Sequence, residues 1–172
     1  MRKLIALLAL AAVSGCGSTP ETFADVSSDI ESARATGPNL TIVARQTIVA
    51  ESLAMTQLAG LIEKVARGVQ DGVPGPTEET EFVQLQLGYA STDRLGNEGK
   101  IDFGTIRLPM ADLRAAKLSN LNGTDYLELV DQISPSVASD LAIQYCADMG
   151  NFRFNPVWCT KLAEAFGIAD HE

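Results

Sequence analysis

The chain of 172 residues sets 13 Lys and Arg against 22 Asp and Glu, a formal net charge of −9, and is 46% hydrophobic and 6% aromatic. That length fits one core, since cores stop growing only at roughly 250–300 residues, and the apolar content excludes a disordered chain. The acidic balance argues against a nucleic-acid partner, whose phosphates demand a basic footprint. The one histidine, His171, sits where chain ends fray, which removes Ser-His and Cys-His catalysis and histidine-based zinc sites.

Arg2 and Lys3 open the chain, and Leu4 to Val13 follow without a polar side chain. Such a run is too short to cross a hydrocarbon core, which takes about 20 helical residues. It matches the apolar stretch of a secretory signal peptide behind its positive start. Val13-Ser14-Gly15-Cys16 comes next. This segment resembles the lipobox of bacterial lipoprotein precursors, where a branched apolar residue and two small ones precede a cysteine; the resemblance covers residues 1–16.

The resemblance implies that the Cys16 thiol is alkylated by a diacylglyceryl group and that the signal peptide, residues 1–15, is cut off before it. The freed α-amino group would then be open to acylation such as palmitate. Each buried acyl CH₂ contributes about 0.8 kcal/mol, so one chain holds marginally and two or three anchor stably. Gly17 stands where Asp, in the enteric sorting pattern, retains a lipoprotein in the inner membrane. That points to the periplasmic face of the outer membrane. Losing Arg2 and Lys3 makes the mature chain more acidic still, so the acyl group, not a basic patch, must supply the contact with the bilayer.

Residues 16–21 form the lipidated cysteine and a short polar tether, and the five residues Gly17 to Glu21 reach at most about 17 Å. Residues 22–172 then read as a single helical domain. Phe23, Val26, Ile30 and Ala33 predict an amphipathic helix over 22–35, closed by Gly37-Pro38. Ile48, Met55, Ile62 and Val69 repeat every seven residues and predict one long central helix over 40–70. Against it stands the β-branched echo Thr41-Ile42-Val43-Ala44 and Thr47-Ile48-Val49-Ala50. Residues 71–76, Asp-Gly-Val-Pro-Gly-Pro, are a break. Thr77 with Glu78, Glu79 and Glu81 reads as a helix start and favours a helix over 77–90. The alternation of Val83, Leu85, Leu87 and Tyr89 with polar residues is the period of a strand, so a short β-hairpin around 82–108 is the alternative. Residues 91–108, with Gly96, Gly99 and Gly104, otherwise read as loop.

Further helices are expected from Pro109 to about Ser119, from Thr124 or Asp125 through Ile133, from Ser134-Pro135 to about Gly150, and from Asn155-Pro156 to Gly167. The expected fold is mainly α, a compact multi-helix bundle. With Cys16 committed to lipid, Cys146 and Cys159 remain as an even pair in an oxidising compartment. Their bridge would close a loop of about 14 residues, credited with roughly 3 kcal/mol, and staple a C-terminal αα-hairpin. Around them Tyr145, Phe152, Phe154, Trp158 and Phe166 read as the packed lid of a small core rather than a ligand site.

No phosphate-binding glycine loop or CxxC redox motif is present, and neither a cofactor nor a catalytic residue is assigned. Glu78, Glu79, Glu81, Glu98 and Asp102 are the carboxylates that a glycosidase-type pair could draw on, although a solvated helix start and turns explain them as well. The sequence therefore points to a membrane-anchored envelope lipoprotein serving as a non-enzymatic structural or protein-interaction module. Its partners would be the lipid bilayer, through Cys16, and an unidentified envelope protein. The alternatives are an envelope lipoprotein that binds a small molecule or lipid, and a carboxylate-dependent cell-wall hydrolase.

Overall fold

Residues 20–47, 53–92, 95–136 and 140–167 are described by a computed structural model. At its centre lies a five-stranded mixed sheet in the order of the chain, β1 (Ile30–Thr36), β2 (Asn39–Thr47), β3 (Phe82–Thr92), β4 (Glu98–Pro109) and β5 (Gln132–Pro135). All neighbours are antiparallel except β2 and β3, which are parallel. A parallel pair needs a crossover, and helix α1 (Ala54–Gln70) supplies it. The protein is thus a two-layer α/β fold, which overturns the expected mainly α bundle.

Leu40, Ile42 and Ala44 of β2 and Val83, Leu85, Leu87 and Tyr89 of β3 are all buried, as are Phe103, Ile106 and Leu108 of β4. Met55, Leu58, Leu61, Ile62 and Val65 of α1 close the core from above. The heptad reading was therefore sound from Met55 onward, and residues 48–52 lie outside the described residues. Before them the chain is strand: in residues 39–47 every second side chain faces the core, and the β-branched run settles in the sheet that suits it.

The expected helix over 22–35 is a 3₁₀ turn at Phe23–Val26 followed by β1. Phe23 and Ile30 are both buried, but on two different elements, so their helical spacing was coincidental. The expected helix over 77–90 is β3. Thr77 and Thr80 form a hydrogen-bonded turn leading into the strand, the kind of local bonding that also begins helices. The hairpin around 82–108 is real and is the longest strand pair, with the supposed loop 91–108 forming most of β4.

After β4, helix α2 (Met110–Ala115) starts beside Pro109 as expected. A 3₁₀ segment, Gly123–Leu129, stands where a helix through Ile133 was expected, and Ser134-Pro135 belongs to β5. The C-terminal lobe holds α3 (Asp140–Ala147), the short α4 (Met149–Phe154) and α5 (Pro156–Ala165). Cys146 in the last turn of α3 is bonded to Cys159 in the first turn of α5, with the Cα atoms 5.5 Å apart.

Asn155 is buried between these helices; its Oδ1 accepts from the Tyr145 hydroxyl at 2.6 Å and its Nδ2 donates to the Thr124 carbonyl at 2.9 Å. It does not cap α5. The Glu128 carboxylate does so from the 3₁₀ segment, accepting from the backbone N–H groups of Val157 and Trp158, each at 3.2 Å. A carboxylate at that end also favours the helix dipole.

Candidate functional site

Because the helices cover one face of the sheet, the alternate side chains of each strand turn away from the core. Register makes two cross-strand rows on that face: Arg34, Thr41, Gln84, Arg107, Gln132, and Ser32, Val43, Gln86, Thr105, Ser134. Arg107 of the first row and Arg45, farther along β2, are paired with carboxylates. The Arg107 guanidinium donates from Nε to Asp131 Oδ1 at 3.0 Å and from Nη2 to Oδ2 at 2.7 Å, and lies 4.5 Å over the Phe82 ring. The Asp131 carboxylate raises the Arg107 pKa. Arg45 meets Glu31 at 2.9 Å.

An open cavity of about 460 Å³ lies where β3, β4 and β5 meet. Gln86, Lys100, Asp102, Thr105, Ser134 and Ser136 supply its polar wall. Its shape comes from an irregularity in pairing: Leu87 faces Gly104 but Gly88 faces Asp102, so Phe103 is the extra residue of a β-bulge. Bulges bend a strand and re-aim its side chains. Phe103 turns into the core, where its ring meets Tyr89 edge-on at 5.7 Å, while Asp102 remains on the open side.

Two glycines make the bulge and its cover feasible. Gly104 has φ +132°, and a Cβ there would lie 2.3 Å from the Ser134 carbonyl oxygen. A Cβ on Gly88 would meet the Lys100 stem at 2.1 Å. Lys100 therefore lies flat across Gly88, with its Nζ 3.7 Å from Asp102.

Below this face, at the far end of β3, Tyr89 is 2% exposed and its hydroxyl has no hydrogen-bond partner among the described residues. Burial alone pushes its pKa up to about 12. The fold holds this proton more tightly than the unfolded chain, which releases it near pH 10. Stability from this group is full below about pH 10 and falls by about 2–3 kcal/mol as pH rises to about 12. Denaturant melts at high pH should show that loss in the native chain and not in Tyr89→Phe. At neutral pH the same variant should be neutral or stabilising by up to about 1 kcal/mol, since it removes an unpaired hydroxyl. A loss of stability at neutral pH would contradict the buried, unpartnered placement.

The sequence-derived acids that precede β3 do not reach Asp102. Glu78, Glu79 and Glu81 precede β3 and are exposed, whereas Asp102 pairs with Gly88 and Glu98 with Thr92, farther along the strand. Seven strand residues separate Glu81 from Gly88, roughly 23 Å, while paired glycosidase carboxylates stand about 5–9.5 Å apart. Asp102 does enter the cavity, beside a lysine instead of a second acid.

Of the C-terminal aromatics, Trp158 is fully buried and Tyr145 and Phe166 pack against the core, whereas Phe152 and Phe154 are 41% and 75% exposed. The packed-lid expectation thus holds for three of the five. Cys16 and His171 lie outside the described residues. Among the described residues no group of three or more His, Cys, Asp or Glu could hold a metal ion, and no helix is long and apolar enough to cross a membrane.

Gln86, Lys100, Thr105 and Ser134 were not singled out in the sequence. The available signal was the outward polar set of β3, Gln84 and Gln86, opposite its apolar alternation. Compared with protein-family models, curated proteins and solved structures, the chain finds no match.

Proposed function

We propose that the chain is a cell-envelope lipoprotein, anchored through an acylated Cys16 at the periplasmic face of the outer membrane, whose folded domain is a non-enzymatic structural or interaction module. The observation that carries this reading is Val13-Ser14-Gly15-Cys16 directly behind a positive start and an unbroken apolar run. The Cys146–Cys159 disulfide supports it, since such bonds persist in oxidising compartments.

Metabolic labelling with palmitate tests the anchor. The native chain should take up label and partition with membranes. Cys16→Ser should lose the label entirely and accumulate as uncleaved or released protein. Undiminished labelling of that variant would overturn the proposal.

A second reading, binding of a small molecule, is favoured by the polar cavity on the open sheet face. That cavity's wall chemistry suits a polar ligand better than a lipid, because among the described residues its apolar lining is Leu87 and Pro135.

A further inference from the structure

The cavity between β3, β4 and β5 offers hydrogen bonds that the protein itself leaves unused. Gln86, Thr105 and Ser134 stand side by side across three strands. None of the three makes a side-chain hydrogen bond to another described residue. Uncommitted polar side chains in a concave wall are the features by which a site fixes the orientation of a ligand.

Their chemistry narrows the ligand class. Hydroxyl and amide groups each donate and accept, so they match a ligand whose own groups do both. Neighbouring strands lie about 4.8 Å apart, a spacing that hydroxyls on opposite sides of a six-membered ring can bridge. The charges among the described lining residues are Lys100 and Asp102, which stand 3.7 Å from each other and cancel formally. An anion would have to compete with Asp102 for the lysine, and a cation with Lys100 for the acid. A neutral polyol disturbs neither, and can accept from the ammonium while donating to the carboxylate. Gly104, in the lining, lets the Ser134 carbonyl of β5 close against β4, where a Cβ would stand 2.3 Å from it.

We propose that this cavity binds a short, uncharged, polyhydroxylated ligand of the saccharide type. The inference rests on the second reading, that the domain binds a small molecule, and is independent of the Cys16 anchor.

Nuclear magnetic resonance titration of the full ¹⁵N-labelled chain in detergent micelles tests it, with maltotriose and N,N′-diacetylchitobiose as probes and inorganic phosphate as control. At least one saccharide should shift the Gly88 and Gly104 backbone amides and the Gln86 side-chain amide saturably. Thr105→Val, which removes one hydroxyl at nearly constant shape, should weaken that response about tenfold without moving the unfolding midpoint. Asp102→Asn should weaken it too.

Unmoved amides with both saccharides would overturn the proposal. So would phosphate shifting the same amides in a manner lost in Lys100→Gln, which would mark an anion site. If saccharides fail but a photocrosslinker at position 86 joins the chain reproducibly to one envelope protein, the module reading stands and the ligand class falls. Neither outcome bears on whether Cys16 is lipidated, which palmitate labelling reads separately.

Discussion

Replacing Cys146 and Cys159 together with serine is expected to lower the thermal midpoint under oxidising conditions by roughly 6–12 °C. The bond joins residues 13 apart in sequence, and closing a loop of that size removes chain entropy worth about 3 kcal/mol from the unfolded state. In a domain of this size each kcal/mol moves the midpoint by about 2–4 °C. The loop contains α4, with Asp148 as its cap, accepting from the Gly150 and Asn151 N–H groups at 2.8 and 3.1 Å.

Beyond the loop, the lobe holds to the 3₁₀ segment Gly123–Leu129 through Asn155 and Glu128, and its Trp158 is buried in the core. The variant should therefore stay folded at room temperature while the lobe opens earlier on heating. Reductant should bring the native chain to the same midpoint as the double variant. A native midpoint indifferent to reductant would mean that the bridge contributes nothing.

The second large effect is expected at Gly104. Alanine there must adopt φ near +132° and place its Cβ 2.3 Å from the Ser134 carbonyl oxygen. Backbone strain of this kind costs about 1–3 kcal/mol, and the contact adds to it because backbone on both sides is fixed by pairing. Phe103, fully enclosed beside Tyr89, prevents β4 from yielding, so β5 must move. Gly104→Ala should lower stability by more than about 2 kcal/mol. It should also speed amide exchange at Ile106 and Ile133, which pair across β4 and β5.

Gly60 provides the opposite control. It lies inside α1 with open space around its would-be Cβ, so Gly60→Ala should stabilise by up to about 1 kcal/mol. Equal effects at the two positions would show that Gly104 is not held by the bulge.

Local signals in the sequence carried the C-terminal lobe. Pro156 at the start of α5, Gly167 with φ +65° after it, and the bridged cysteines in the last turn of α3 and the first turn of α5 are where the residues placed them. But α4 intervenes, so the bridge spans a three-helix lobe and not the expected αα-hairpin. The second half of the long helix was equally legible, because Met55, Leu58, Ile62 and Val65 follow a single period on one buried face.

The sheet was not legible, for two physical reasons. Thr77 and the acids after it satisfy the rules of a helix start and equally those of a turn, and the inward alternation of β3 lost to them. The parallel pairing of β2 with β3 is set by contacts between residues some forty positions apart, such as Ile42 with Leu85. No local window contains both. The same holds for the cavity. Asp102 stands out in the sequence as an acid with Lys100 two residues before it, but Gln86 and Ser134 reach it only through strand register and a bulge that three nearby glycines disguise as loop.

The anchor at Cys16 is tested most directly by mass spectrometry of the first tryptic peptide from membrane-extracted protein. After Lys3 the next basic residue is Arg34, so the peptide should begin at Cys16, end at Arg34 and carry the added mass of a diacylglyceryl group. A peptide that starts upstream of residue 16, or an unmodified cysteine on protein released by aqueous washing, would contradict the account.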